Sequence, residues 1–119
     1  EFQSDIRVNP VRLTTNEIVF EVYYQPGNAD FNGVELRRIS VDGKEMSTNL
    51  PLTYSNSTHS NIQPQVKFSS SSPIIVRLDT SSLNLDNKAC IDLEIAINYT
   101  AEGTTQWSLA SGRITGPIS

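Results

Sequence analysis

The length and composition of the chain limit it to one domain and exclude a basic nucleic-acid-binding surface. Its 119 residues, 37% of them hydrophobic, suffice for a single core in one domain over residues 1–119. Only 18% of the residues are charged and the net charge is −4. The chain therefore has no excess positive charge to attract a phosphate backbone, and we expect no nucleic-acid partner.

Alternating apolar and polar residues, separated by turn residues, predict strands along the whole chain. In chain order these cover residues 6–13, 17–24, 34–41, 44–46, 65–68, 74–79, 90–99 and 105–114. Pro10 places the first strand at a sheet edge. Asp42-Gly43 predicts a two-residue hairpin, because both central residues of that turn need a positive φ. The spacing predicts an all-β sandwich of seven to eight antiparallel strands.

The segments between the strands are less regular. A polar loop is predicted through Asp30 and Asn32-Gly33, and residues 48–65 contain only scattered apolar residues. After the strand over 74–79 we expect a single helical turn, capped by Thr80 or Ser81.

The phase of the aromatic residues divides them between core and surface. The strand over 90–99 has the most regular alternation and is predicted to be central. Tyr24 and Trp107 fall in phase with core residues. Tyr23 and Tyr54 do not, so these two rings are the candidates for an exposed sugar-binding platform.

Few residues offer catalytic or zinc-binding chemistry. The chain has one His and one Cys, which cannot build the usual zinc sites. His59 lies among serines, but nothing indicates the ordered acid or strained turn that would activate one of them. Cys90 has no disulfide partner and is expected to be a passive thiol. We therefore predict that the protein is not an enzyme and has no cofactor.

Calcium is the one metal that the sequence leaves open. Several carboxylates lie around one predicted interstrand loop, with further oxygen ligands available from Asn28 and Asp30. They are Asp79, Asp86, Asp92 and Glu94. No EF-hand pattern is present, so we expect solvated carboxylates and no metal site.

Two Asn-X-Ser/Thr triplets make Asn56 and Asn98 candidate glycosylation sites. Asn56 lies in a long polar segment where a glycan would be tolerated. Asn98 is predicted on the outward side of a strand near its end. Modification of either requires export in a glycosylating organism.

Apolar residues on the outward side of two strands suggest a surface for self-association. Val19 and Tyr23 interrupt the polar side of the second strand, and Ile39 and Val41 are out of phase with the start of the third. A sheet face covered by a second subunit would explain both interruptions. A β-bulge in the third strand is the alternative explanation for its change of phase.

The composition and strand pattern of the whole chain resemble those of a known class of envelope proteins. The strands are rich in Ser, Thr and Asn and poor in Cys, the two triplets are present, and the closing stretch runs from Ile91 to Ile114. The sequence also begins with Glu1-Phe2 rather than Met, and we expect it to be part of a longer, N-terminally anchored protein. In these features it resembles the soluble β-sandwich portions of archaellum accessory and stator proteins.

The resemblance implies an immunoglobulin-like β-sandwich outside the membrane, held by an N-terminal anchor that precedes it. It also implies a homodimer that binds an envelope or surface-layer protein and so anchors the archaeal motility filament or its motor. The location would be the extracellular, pseudo-periplasmic side of the cell envelope. No catalytic residue is implied.

Three functions follow as expectations. The first is the structural anchoring module just described. The second is a carbohydrate-binding module, which would need Tyr23, Tyr54 or another exposed ring in a groove. The third is a minor pilin or adhesin subunit, which would polymerise through its anchor.

Overall fold

Nine strands form two antiparallel sheets in the computed structural model, which describes residues 5–115. The strands are β1 (Ile6–Leu13), β2 (Glu17–Tyr24), β3 (Ala29–Val41), β4 (Lys44–Glu45), β5 (Leu52–Ser55), β6 (Val66–Phe68), β7 (Ile74–Asp79), β8 (Cys90–Ala101) and β9 (Thr104–Thr115). A 3-10 turn at Ser81–Leu83 lies between β7 and β8. Within residues 5–115 there is no helix of the length and apolar character needed to cross a membrane.

The strand order identifies the architecture. One sheet has the order β1-β2-β7-β5, and the other has the order β4-β3-β8-β9, with β6 also paired to β3. This is the arrangement of an immunoglobulin sandwich, in which the first, second, fifth and fourth strands form one sheet and the third, sixth and seventh the other. The additional strands β4 and β6 both lie on β3. The chain is therefore an all-β, immunoglobulin-like β-sandwich, as predicted.

The core lies between the two sheets and is built from alternate residues of each strand. The predicted inward set of β8, which starts at Ile91 and ends at Tyr99, is buried. Phe31 packs edge-on against Phe68, with ring centroids 5.5 Å apart. Burial of each such side chain contributes about 1.5–3 kcal/mol, which is the main stabilising term for the sandwich.

Strand β3 begins five residues before the predicted strand, so the loop predicted through Asp30 is wrong. Ala29 and Phe31 are buried, and Asp30 between them faces away from the core. The register shifts at a bulge between Phe31 and Gly33, and buried residues alternate with less buried ones both before and after it. Gly33 has a φ of 142°, a conformation that suits glycine alone.

The predicted cap of the helical turn is also wrong. Thr80 occupies the N-cap position but makes no side-chain cap hydrogen bond. Its hydroxyl instead donates to the backbone carbonyl of Thr15, at 3.3 Å, and the residue is fully buried. Thr80 therefore ties the end of β7 to the β1–β2 turn. The Asp42-Gly43 hairpin is confirmed, with φ values of 52° and 84°.

Candidate interaction surface along strand β9

A tight turn sets the register of β9. Glu102 and Gly103 have φ values of 52° and 79°, as a two-residue hairpin turn with two positive φ angles requires. Ala101 pairs with Thr104, and the pairing continues without a shift to the end of β9. Because the turn has an even number of residues, odd-numbered residues of β9 lie opposite even-numbered residues of β8, which face away from the core.

Trp107 consequently lies on the outer face of its sheet, and the prediction that it packs in the core is wrong. It is paired with Asn98, and cross-strand partners share a face. Trp107 is 46% exposed and Leu109, on the same face, is 58% exposed. The phase of the strand predicted a core position, but a one-residue change of phase moves a side chain to the opposite face.

The outer face around these two residues forms a patch, which we call the Trp107 patch and define as Arg37, Ala96, Trp107 and Leu109. The Arg37 guanidinium lies over the indole ring, 5.0 Å from its centroid. Its Nε–H donates to Glu35 at 2.8 Å. Ala96 pairs with Leu109 and is 0% exposed, so larger neighbouring side chains cover it. Exposed Trp beside Arg is a combination enriched at protein-binding hot spots.

A hydrogen-bonded polar cluster borders the patch towards the hairpin turn. The Asn32 side-chain amide donates to Asn98 Oδ1 at 2.8 Å and to Thr100 Oγ1 at 3.0 Å. The hydroxyls of Thr100 and Thr105 are 2.7 Å apart. These bonds hold the side chains around Trp107 in place.

Three of the four sheet edges are shortened or covered. In β1, Pro10 lacks an N–H, and the register shifts between Pro10 and Arg12. Strand β5 has only four residues. On β3, the short strands β4 and β6 cover the two ends. Between them the Tyr54 hydroxyl accepts a bond from the Val34 N–H at 3.1 Å and donates to its carbonyl at 3.3 Å. Such devices prevent edge-to-edge pairing.

Strand β9 has none of these protections. Its 12 residues contain no proline, and its register has no shift. Its only charged side chain, Arg113, donates through Nε to Asp92 at 2.9 Å. In the described part of the chain β9 pairs with β8 and with no other strand. Among the strands of residues 5–115, β9 is therefore the one long edge that remains able to accept a further strand.

A groove lies beside this edge, on the side of the sandwich where β1 and β9 face each other. We call it the side groove; its volume is about 140 Å³. Its lining is mainly apolar and comes from both sheets: Val8, Pro10, Phe20, Leu93, Ile95, Ala110, Ser111, Gly112, Arg113 and Ile114.

Comparisons with known proteins give only structural likenesses. No protein-family model and no curated protein matches the chain. Among solved structures it is similar to the yeast GGA1 GAE domain, at 18% identity and a TM-score of 0.40, over 95% of each chain. It is also similar to the GAE domain of GGA2p from Saccharomyces cerevisiae, at 11% identity and a TM-score of 0.40, over 98% of this chain and 96% of that one. Neither likeness assigns the chain to a family.

The residues predicted for self-association do not form one exposed face. Ile39 is 0% exposed, and Val41 packs against the core. A second bulge in β3, between Leu36 and Arg38, changes the phase of the strand and turns both residues inward. The bulge is thus the correct explanation, and Ile39 and Val41 are corrected to core positions.

Strand β2 carries the other two predicted residues. Val19 is on the outer face but only 3% exposed, because it pairs with Arg12 on one side and Arg77 on the other. Both arginines reach Glu17, at 3.8 and 3.9 Å, and their aliphatic stems cover the valine. Tyr23 is half-buried.

Neither tyrosine proposed for a sugar platform is an exposed ring. Tyr54 is half-buried, and its ring packs edge-on against Phe31 at a centroid distance of 5.0 Å. Tyr24 is confirmed in the core, 5.7 Å from the ring of Tyr99. Within residues 5–115 Trp107 is the exposed aromatic ring, and the phase of its strand did not predict this position. The even length of the Glu102-Gly103 turn was the signal that could have identified it.

The chemical candidates lie apart from one another. Between residues 5 and 115 no group of three His, Cys, Asp or Glu side chains could hold a metal ion. Asp79 accepts bonds from the Ser81 hydroxyl and N–H, which lower the pKa of its carboxyl. Asp92 is paired with Arg113. Asp86 accepts the Lys88 N–H at 2.8 Å.

The remaining candidates lie in the loop after β5 and at the start of β8. His59 is exposed, with Nδ1 3.1 Å from the Thr58 hydroxyl. Asn56 accepts bonds from Thr58 and from the His59 N–H in the same loop. Cys90 is half-buried and has no disulfide. Glycosylation of Asn56 and of Asn98 stays a prediction.

Proposed function

We propose that this chain is a non-catalytic protein-interaction domain that holds a protein partner along β9. The observation that carries the proposal is that β9 is a 12-residue edge strand without proline or bulge, beside the exposed Trp107 and Leu109. Unprotected edges pair with other chains, and Trp and Arg supply much of the binding energy in protein interfaces. The Trp107 patch and the edge of β9 are contiguous, so one partner can use both.

A sugar is a less suitable ligand for the same surface. An aromatic platform binds a sugar through the face of its ring, and Arg37 already lies over the Trp107 indole at 5.0 Å. Arg37 is itself held by Glu35. This arrangement favours a protein partner over a carbohydrate.

Anchoring of an archaeal motility filament to the cell envelope is one setting in which such a domain would serve. It is implied by the resemblance of the chain to archaellum accessory proteins and stays a prediction. The expected surface-layer partner, the homodimer and the extracellular location stay predictions with it.

Site-specific photo-crosslinking in cells that express the protein tests the proposal. A photoreactive amino acid at Leu109 should give a discrete adduct whose yield falls strongly in Trp107→Ala, because both residues face the partner. The matched control is Thr53, an exposed residue on the outer face of the other sheet. An adduct of twice the chain mass would identify a second copy as the partner.

Two results would contradict the proposal. One is the absence of any adduct from position 109. The other is the same set of adducts from positions 109 and 53, which would indicate random collision rather than a binding surface.

A further inference from the structure

Gly112 lines the side groove and contributes no side chain to it. Gly112 pairs with Leu93 across the ladder, and its φ is not positive, so its backbone does not require glycine. A Cβ built at Gly112 meets nothing within 4 Å. A larger residue would therefore fold at this position, and would occupy the groove. The glycine leaves space for a group that comes from outside.

The backbone of β9 presents its unpaired groups at the mouth of the groove. In a two-residue hairpin the residues flanking the turn, here Ala101 and Thr104, form a hydrogen-bonded pair. Hydrogen-bonded pairs alternate along an antiparallel ladder, so even-numbered residues of β9 bond to β8. The N–H and C=O groups of the odd-numbered residues point to the open edge: Thr105, Trp107, Leu109, Ser111, Arg113 and Thr115.

We propose that β9 accepts an extended segment of a different protein as an added strand, with a large apolar side chain in the side groove and an acidic side chain beside Arg113. This inference rests on the proposed function and specifies its partner. The backbone of the segment would satisfy the odd-numbered groups of β9. A groove of about 140 Å³ matches the size of cavity that accepts a benzene ring, and so suits one large apolar side chain.

The acidic side chain in the added strand is inferred from the positive charge of Arg113. Arg113 is the only charged residue of β9, and its side chain is 67% exposed. Its Nε–H donates to Asp92, but a guanidinium carries five N–H donors, so the group can bind a second carboxylate. A strand residue opposite Arg113 lies close enough for such a pair. Residues opposite Gly112 and Arg113 are neighbours in the added strand, so the acidic residue adjoins the apolar one.

A second copy of the chain fits the groove poorly. Residues of β9 that face the groove side are Thr104, Gln106, Ser108, Ala110, Gly112 and Ile114, mostly small or polar. A copy adding its own β9 would place these beside a groove that needs a large apolar group. Each copy also has a net charge of −4, and the two would repel each other.

Selection from a random library of linear 12-residue peptides displayed on phage, against the 119-residue chain, provides the test. We expect enrichment of peptides in which a large apolar residue adjoins Asp or Glu. The enriched peptide, made synthetically, should bind Gly112→Leu about tenfold more weakly or worse, since the groove is then filled. Arg113→Glu should weaken the same peptide by a similar factor because the two acids repel.

Two further variants separate the groove from general effects of mutation. Gly27→Leu changes another glycine with open space around it, distant in sequence from β9, and should leave peptide binding unchanged. Ser111→Pro removes an outward N–H of the edge strand and should weaken binding without loss of the fold, as checked by its thermal midpoint.

The inference is overturned if no peptide is enriched, or if the enriched peptides bind Gly112→Leu as tightly as the original chain. It is also overturned if the chain is a dimer that Gly112→Leu converts to a monomer, because a second copy then fills the groove. An adduct from position 109 together with unchanged binding by Gly112→Leu would retain the proposed function and reject strand addition.

Discussion

Tyr24 and Tyr99 place two phenol groups at one end of the core, with their rings 5.7 Å apart. Burial is the main cause that raises the pKa of both hydroxyls. The negative charge of Asp5 raises the pKa of each further, because it opposes a second negative charge nearby. Both tyrosines are therefore neutral in the folded protein beyond the pH at which they ionise in the unfolded chain.

This difference predicts a loss of stability at alkaline pH. A tyrosine whose pKa is higher in the folded state contributes stability that is complete below pH 10 and is lost as the pH rises through the folded-state pKa. The double variant Tyr24→Phe and Tyr99→Phe cannot ionise at these positions. We expect denaturant unfolding between pH 9 and pH 12 to show a smaller loss of stability for the variant than for the original chain.

An equal loss in both proteins would contradict this account of the two phenols. Tyr23→Phe serves as the control. Tyr23 is half-buried on the same strand, and its substitution should leave the alkaline loss in place.

At the scale of single residues, alternation in sequence predicted the core well where burial on one face is complete. Ile91 and the inward residues that follow it in β8 are buried as expected, and Tyr24 is too. Phase failed at Trp107, because its position depends on the length of a turn rather than on its own hydrophobicity. A large apolar residue on an edge strand is predicted to lie in the core as long as the register of the strand is unknown.

At the scale of elements, the covered edge of β3 depends on one side chain. The Tyr54 hydroxyl bonds both the N–H and the carbonyl of Val34, and so crosses from β5 in one sheet to β3 in the other. It lies between β4 and β6, which pair with the two ends of the same edge. Tyr54 thus replaces a strand that is missing from the middle of this edge.

Tyr54→Phe should therefore expose the middle of the β3 edge. The Val34 N–H would lose its partner, and leaving a part-buried donor unsatisfied costs about 1–3 kcal/mol. We expect the free energy of unfolding to fall by about that amount and the Val34 amide to exchange faster with solvent. Unchanged exchange at Val34 in the variant would show that the hydroxyl does not protect this edge.

The alternation of apolar residues predicts β2, β7 and β8 closely because each strand has one continuous apolar face. The start of β3 was not predicted, because the polar residues Asp30 and Asn32 indicated a loop. Both residues lie on the outer side of a bulged strand. The groove was beyond prediction, because it depends on how β1 of one sheet lies against β9 of the other. A local sequence pattern does not specify the separation between these two strands.

At the scale of the whole molecule, the part of the chain that the structure describes leaves three sheet edges closed and one open. The two sheets present four edges, of which β1, β3 and β5 are interrupted, covered or short. Strand β9 combines an unbroken edge, the Trp107 patch on one side and the side groove on the other. The concentration of these features on a single strand is the reason to place the interaction there.

Amide hydrogen exchange along β9 tests this placement most directly, measured residue by residue on the 119-residue chain with and without the selected peptide. In the free chain we expect the amides of Trp107, Leu109 and Ser111 to exchange fast and those of Ser108 and Ala110, bonded to β8, to be protected. With the peptide bound, the first three should become protected as well. The account is contradicted if those three are already protected in the free chain, or if the peptide leaves their exchange unchanged.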